Sequence, residues 1–209
     1  MFKKIFGGDK SGPRTLTEPC QLQVGDIIAF KQRRSLPDEL QGQQLEVTKV
    51  GGYQYAENEI TKELTLRSED NKTYYLSVDD NDGDPLLCFS IKLPEKVLFT
   101  LFDEDEFSAL WSEEFVTLAV KEKPEELSSW LADSYTQRMK EGEAYYYNRD
   151  CGGAVPEDDE GEELRYHECV GDVDARYLSV EIWGDGDTEV SLVAFCPVDV
   201  IEEMWPSEQ

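Results

Sequence analysis

Apolar residues recur at every second position through most of the first hundred residues. Leu22, Val24, Ile28 and Phe30 keep one parity, and the alternation returns at Leu45 and Val47, Leu64 and Leu66, Tyr74, Leu76 and Val78, Leu87, Phe89 and Ile91, and Val97, Phe99 and Leu101. Period two is the spacing of a strand with one covered face, so these segments predict half-buried antiparallel strands. Val50-Gly51-Gly52, Ser68-Glu69-Asp70-Asn71 and Asn81-Asp82-Gly83-Asp84 read as the hairpin turns between them, because Gly and Asn accept the positive φ that tight turns need.

The period then changes. Asp103-Glu104-Asp105-Glu106 places negative charge at a helix start, and Phe107, Leu110 and Trp111 follow at helical spacing, which predicts a short helix. A second helix is predicted from Pro124 to Gly142, with the stripe Leu127, Trp130, Leu131, Tyr135 and Met139 as its packing face. Strand patterns resume at Tyr145-Tyr146-Tyr147, Leu164-Arg165-Tyr166, Tyr177 to Trp183, and Val190, Leu192 and Ala194.

This second set reads as a copy of the first. Tyr75-Leu76-Ser77-Val78 recurs 102 residues later as Tyr177-Leu178-Ser179-Val180, and each copy is followed by an Asp-Gly-Asp turn and an apolar strand. Tyr53 and Tyr55 correspond to Tyr145 and Tyr147 if residues 154–163 are an insertion. The expected fold is α+β and mainly antiparallel: two related β-meander units with a central helical segment. Its parts are a flexible arm at 1–19, a first β unit at 20–102, a helical segment at 103–142, and a second β unit at 143–209 carrying the acidic insertion 154–163.

Charge narrows the function classes. With 46 acidic against 20 Lys and Arg residues the net charge is −26, which repels phosphate backbones, so no nucleic-acid partner is expected. The 39% hydrophobic content supports a packed core. No apolar run approaches the roughly 18 residues of a spanning helix. Residues 1–50 carry a net +2 and residues 151–209 a net −15. Polar residues after Ile5-Phe6 argue against a secretion signal, and five cysteines without a C-x-x-C pair read as reduced thiols, which together point to the cytoplasm.

Leu22-Gln23-Val24-Gly25-Asp26, Leu45-Glu46-Val47 before Gly51-Gly52-Tyr53, and the Tyr-Leu-Ser-Val strand resemble the bacterial domain-of-unknown-function family 4178. The second half, with Tyr166-His167-Glu168 and Arg176 to Glu181, looks like the same unit or the related uncharacterised family 2491, with Tyr75 and Tyr177 where the pattern commonly has Trp. The resemblance implies a non-enzymatic accessory role in an envelope-stress or membrane-associated system, and carries over no catalytic residue.

Candidate chemistry is sparse. His167 and Cys169 share a strand face, so a thiol–imidazole pair, and with it a small thiol-dependent hydrolase, is one alternative; the strand parity instead makes Tyr166 the core residue and His167 solvent-facing. Six carboxylates in seven positions, Glu157, Asp158, Asp159, Glu160, Glu162 and Glu163, form a candidate contact for polyamines or basic tails. Phe2, Lys3, Lys4, Ile5 and Phe6 form a candidate for weak peripheral membrane or partner contact. The acidic turns fail the calcium-loop spacing, and no metal or cofactor is expected. The leading expectation is a non-catalytic cytoplasmic accessory protein with an unidentified protein partner; the other alternative is an acidic polycation-binding module.

Overall fold

The computed structural model describes residues 14–80, 83–157 and 161–208. The first half forms strands β1 (Ile27–Phe30), β2 (Gln44–Ala56), β3 (Glu59–Arg67), β4 (Thr73–Asp79) and β5 (Leu86–Lys92). Helices α1 (Glu95–Leu101) and α2 (Glu104–Ser108) follow, then β6 (Thr117–Ala119), β7 (Ser134–Tyr147), β8 (Glu162–Gly171), β9 (Arg176–Trp183), β10 (Thr188–Pro197) and β11 (Ile201–Trp205). All ladders are antiparallel, in the order β11-β1-β2-β3-β4-β5-β10-β9-β8-β7-β6.

One further pairing closes the sheet. Gly52, Tyr53 and Gln54 of β2 pair with Tyr147, Tyr146 and Tyr145 of β7, so β2-β3-β4-β5-β10-β9-β8-β7 form an eight-stranded barrel. The seam is short because β2 and β7 diverge from it. The first half of β2 pairs with β1, and the first half of β7 pairs with β6.

Register shows which side chains face inward. Directly opposed residues of an antiparallel pair share a face, so Gly51, Glu63, Ser77, Cys88 and Phe195 lie on one face, and Lys92, Ser191, Ser179 and Glu168 continue it. Tyr53 Oη donates to Glu181 Oε2 at 3.2 Å, joining strands three places apart in the ring across the interior. The polar face is therefore the inside of the barrel.

The main apolar core lies on the outside of the same wall. Leu64, Leu66, Leu76, Phe89, Leu178 and Leu192 are buried there under Phe30, Leu40, Phe102, Phe107, Leu110 and Trp130, all outside the barrel strands. Trp130 Nε1 donates to Glu39 Oε1 at 2.9 Å and Cys196 Sγ to the Ser35 carbonyl at 3.1 Å, pinning these covering segments. Asp26 ties the ends together: fully buried, it accepts from Arg14 at 2.6 Å, from Gln23 N–H at 2.8 Å and from Ser207 N–H at 2.9 Å. Burial alone would raise its pKa, but these hydrogen bonds hold the carboxyl below the usual range.

The structure corrects three sequence expectations here. Residues 134–147 are the strand β7, not the end of a helix from 124 to 142; only a 3₁₀ turn, Glu125–Leu127, precedes it. Pairing with β8 from Tyr135 to Tyr146 overrides the helix-favouring Gln-Arg-Met-Lys-Glu run. That ladder tolerates the run by shifting register after Gln137 and after Met139, with Glu141 at φ 48°. Val97, Phe99 and Leu101 belong to α1, where Leu98 and Leu101 are the buried positions at spacing three. Gly51-Gly52 is mid-strand in β2 rather than a turn: a Cβ on Gly51 would collide with the Tyr146 ring, and one on Gly52 with Ile60. β8 begins at Glu162, inside the span 154–163.

The short helix near 103 forms as the charge pattern implied. Asp103 Oδ1 accepts from the Asp105 and Glu106 N–H groups at 3.0 and 3.3 Å, and a 3₁₀ turn, Ala109–Trp111, extends the segment.

Candidate functional site

The barrel interior has two parts. Tyr53, Ala144 and Leu164 form a small apolar plug with Tyr146, Tyr166 and Trp183 packed against it. Gly142 makes room for the Tyr166 ring, which a Cβ would meet at 2.6 Å. Beside the plug is a cavity of about 320 Å³, because β4, β5, β9 and β10 present Ser77, Ser90, Ser179 and Ser191 where large side chains would fill a core.

The cavity is acidic and aromatic. Among the described residues six carboxylates line it, Glu59, Glu63, Asp79, Asp80, Glu168 and Glu181, against one cation, Lys92. Tyr53 and Tyr55 stack at 5.6 Å with an 8° interplanar angle, and Tyr177 meets Phe195 edge-on at 5.0 Å. Lys92 Nζ lies 2.5 Å from Glu189 Oε2 and 4.9 Å from the centre of the Tyr75 ring.

Titration follows from that crowding. Burial first, then the neighbouring Glu181, pushes Glu63 up to about 8. Burial raises Glu181 to about 7, with Glu189 adding to the effect while Lys92 and the Tyr53 hydroxyl oppose it. No hydrogen bond or ion pair reaches the Glu63 carboxylate among the described residues. The Cys88 thiol is pushed by burial up to about 12 and stays protonated.

The sequence-based candidates fall elsewhere. His167 and Cys169 lie together on the outer face of β8, both fully buried. His167 is a core residue and not solvent-facing as the parity implied, because the outside of this wall is covered by the 3₁₀ turn at Trp111. Its Nδ1 is 3.0 Å from Gln137 Nε2, which also donates to the Leu110 carbonyl, and its ring meets Trp111 edge-on at 5.1 Å. Burial lowers the His167 pKa and pushes the Cys169 thiol up to about 12, so the thiol is protonated at neutral pH. Glu157, Glu162 and Glu163 are exposed. Phe2, Lys3, Lys4, Ile5 and Phe6, with Asp158, Asp159 and Glu160, lie outside the described residues.

Glu63, Glu181 and Lys92 went unnoticed in the sequence because polar residues alternating with Leu read as a solvated face. A signal was present: Tyr75 and Tyr177 sit on the polar parity of their strands, and large aromatic rings on a face otherwise read as wet mark a partly enclosed surface. Among the described residues, no three His, Cys, Asp or Glu side chains converge as a metal site would require, and no helix is long and apolar enough to cross a membrane. Comparison of the chain with protein-family models, with curated proteins and with solved structures finds no match in any of the three.

Proposed function

We propose that this chain is a non-catalytic binding protein whose barrel holds a small ligand, acting as an accessory component in the cytoplasm. The observation that carries this reading is the unfilled interior: a closed barrel with its main core outside and a cavity of about 320 Å³ inside, near the lower end of ligand-pocket sizes. Five cysteines in the thiol state suit a reducing compartment. The resemblance to family 4178 supports an accessory role, in a membrane- or envelope-stress-associated system with a protein partner. The thiol-hydrolase alternative gains nothing from a buried, protonated Cys169.

The two meanders, β2–β5 and β7–β10, are read as copies of one unit. Tyr75 and Tyr177, and Ser77 and Ser179, occupy like places in β4 and β9, and Gly83 and Gly186, which follow the two strands, both have positive φ. The tyrosine correspondence between β2 and β7 is looser, since Tyr53 faces inward with Tyr146 while Tyr145 and Tyr147 face outward.

The test is mass spectrometry under native and denaturing conditions on the chain isolated from its own cells. A small molecule retained only in the native state is expected, and Ser179→Leu, which fills the cavity, should abolish it. A chain without any retained mass, or an adduct indifferent to Ser179→Leu, would overturn the reading.

A further inference from the structure

The chemistry of the cavity wall specifies a class of ligand. We infer that the barrel takes a small organic cation, an ammonium group seated between Glu63 and Glu181 with its hydrocarbon portion against the Tyr53 and Tyr55 rings. This rests on the binding-barrel reading and deepens it.

Three observations carry the inference. The first is charge: among the described residues six lining carboxylates stand against one lining lysine, with Lys49 beyond them over Tyr146, so the cavity is negative and low-dielectric walls focus that field on whatever enters. An anionic ligand would meet repulsion from almost every side. The second is the Glu63 carboxylate, part-buried, lining the cavity, and without a hydrogen bond or ion pair among the described residues. A carboxylate facing a confined cavity with no direct partner is poorly compensated, and a cation inside the cavity would supply one. The third is Lys92. Its ammonium lies on the face of Tyr75 and pairs with Glu189, so the interior already accommodates one alkylammonium through a ring face and a carboxylate.

The Glu63–Glu181 pair repeats those ingredients, with Lys92 and Lys49 near enough to act on Glu63 by charge but neither ion-paired with it. Tyr53 supplies both a ring and a hydroxyl donor that orients Glu181, and Tyr55 stacks beside it. At neutral pH the two carboxylates hold a proton that an entering ammonium displaces, since their pKa values are about 8 and about 7. Cation binding is therefore coupled to proton release, which neutral-ligand binding is not.

The test uses three molecules of similar size: butylammonium, butyrate and 1-butanol. Each is titrated into the full chain at pH 6.0 and pH 8.5, followed by NMR shifts and by calorimetry in two buffers of different ionisation enthalpy. The expected result is binding of butylammonium alone, tightening about tenfold for each pH unit in which one proton is displaced, with the buffer dependence that proton release produces. Glu63→Gln/Glu181→Gln should weaken binding at least tenfold at pH 8.5 and flatten its pH profile, while the wild-type profile needs no variant to fold. Butyrate or butanol binding as tightly as butylammonium, or butylammonium binding that Glu63→Gln/Glu181→Gln leaves unchanged, would overturn the cation seat and leave the binding barrel standing. If none of the three binds the cation proposal also falls, and the retained-mass experiment decides separately whether the barrel binds anything.

Discussion

The two faces of one barrel wall use opposite chemistry. Outside, Leu76, Phe89, Leu178 and Leu192 are sealed under helices and 3₁₀ turns, and the buried histidine there is kept neutral. Inside, Ser77, Ser90, Ser179 and Glu181 from the same strands surround open space, and the pKa values of the Glu63 and Glu181 carboxyls are raised. The difference separates tasks: the outer face supplies folding free energy through area removed from water, so the inner face is released from packing and can carry polar groups.

The largest contrast should appear in stability. Phe89→Ala, on the outside, is expected to cost about 3–5 kcal/mol in urea unfolding. Ser179→Leu, on the inside of the same wall, is expected to change it by less than about 1 kcal/mol. A comparable loss from both would show that the interior is packed as tightly as the core.

The two faces should also respond to pH in opposite directions. Glu63 and Glu181 hold protons in the folded chain that the unfolded chain, with carboxyl pKa near 4.5, has already lost. Their contribution therefore falls as pH rises from about 4.5 to about 8, by at most a few kcal/mol. His167 has the reverse effect: its lowered pKa means the unfolded chain takes up a proton first, so stability falls as pH drops below 6.5. Melting temperatures from pH 4 to 9 should show both limbs. Glu63→Gln should flatten the alkaline limb, and His167→Asn the acid one, each leaving the other in place.

Smaller effects sharpen the picture at the seam and at the thiols. Gly51→Ala pushes a methyl against the Tyr146 ring and is expected to cost about 1–3 kcal/mol by chemical denaturation. Alkylation of the native chain should modify exposed Cys20 slowly, since burial and Glu18 raise its pKa, and should leave Cys169 and Cys196 untouched until unfolding. Rapid labelling of Cys169 would mean that the outer face opens.

The sequence by itself determined the strands whose polar and apolar positions alternate, the Asp103 cap, and the turns at Asn71 and Gly186, because each rests on residues within a few positions of one another. It did not determine β7. There the local helix preference of residues 134–142 lost to pairing with β8, more than twenty residues away in the chain. Nor did it determine which face of the alternating strands would be wet. Period two reports that the faces differ, and both a solvated outside and a polar inside satisfy it. Three residue pairs between β2 and β7 closed the sheet, put Glu63 and Glu181 inside one cavity, and turned what read as a solvated face into the candidate site. Closure is a long-range event whose entropy cost and pairing energy belong to the whole chain, so only the tertiary structure could decide it.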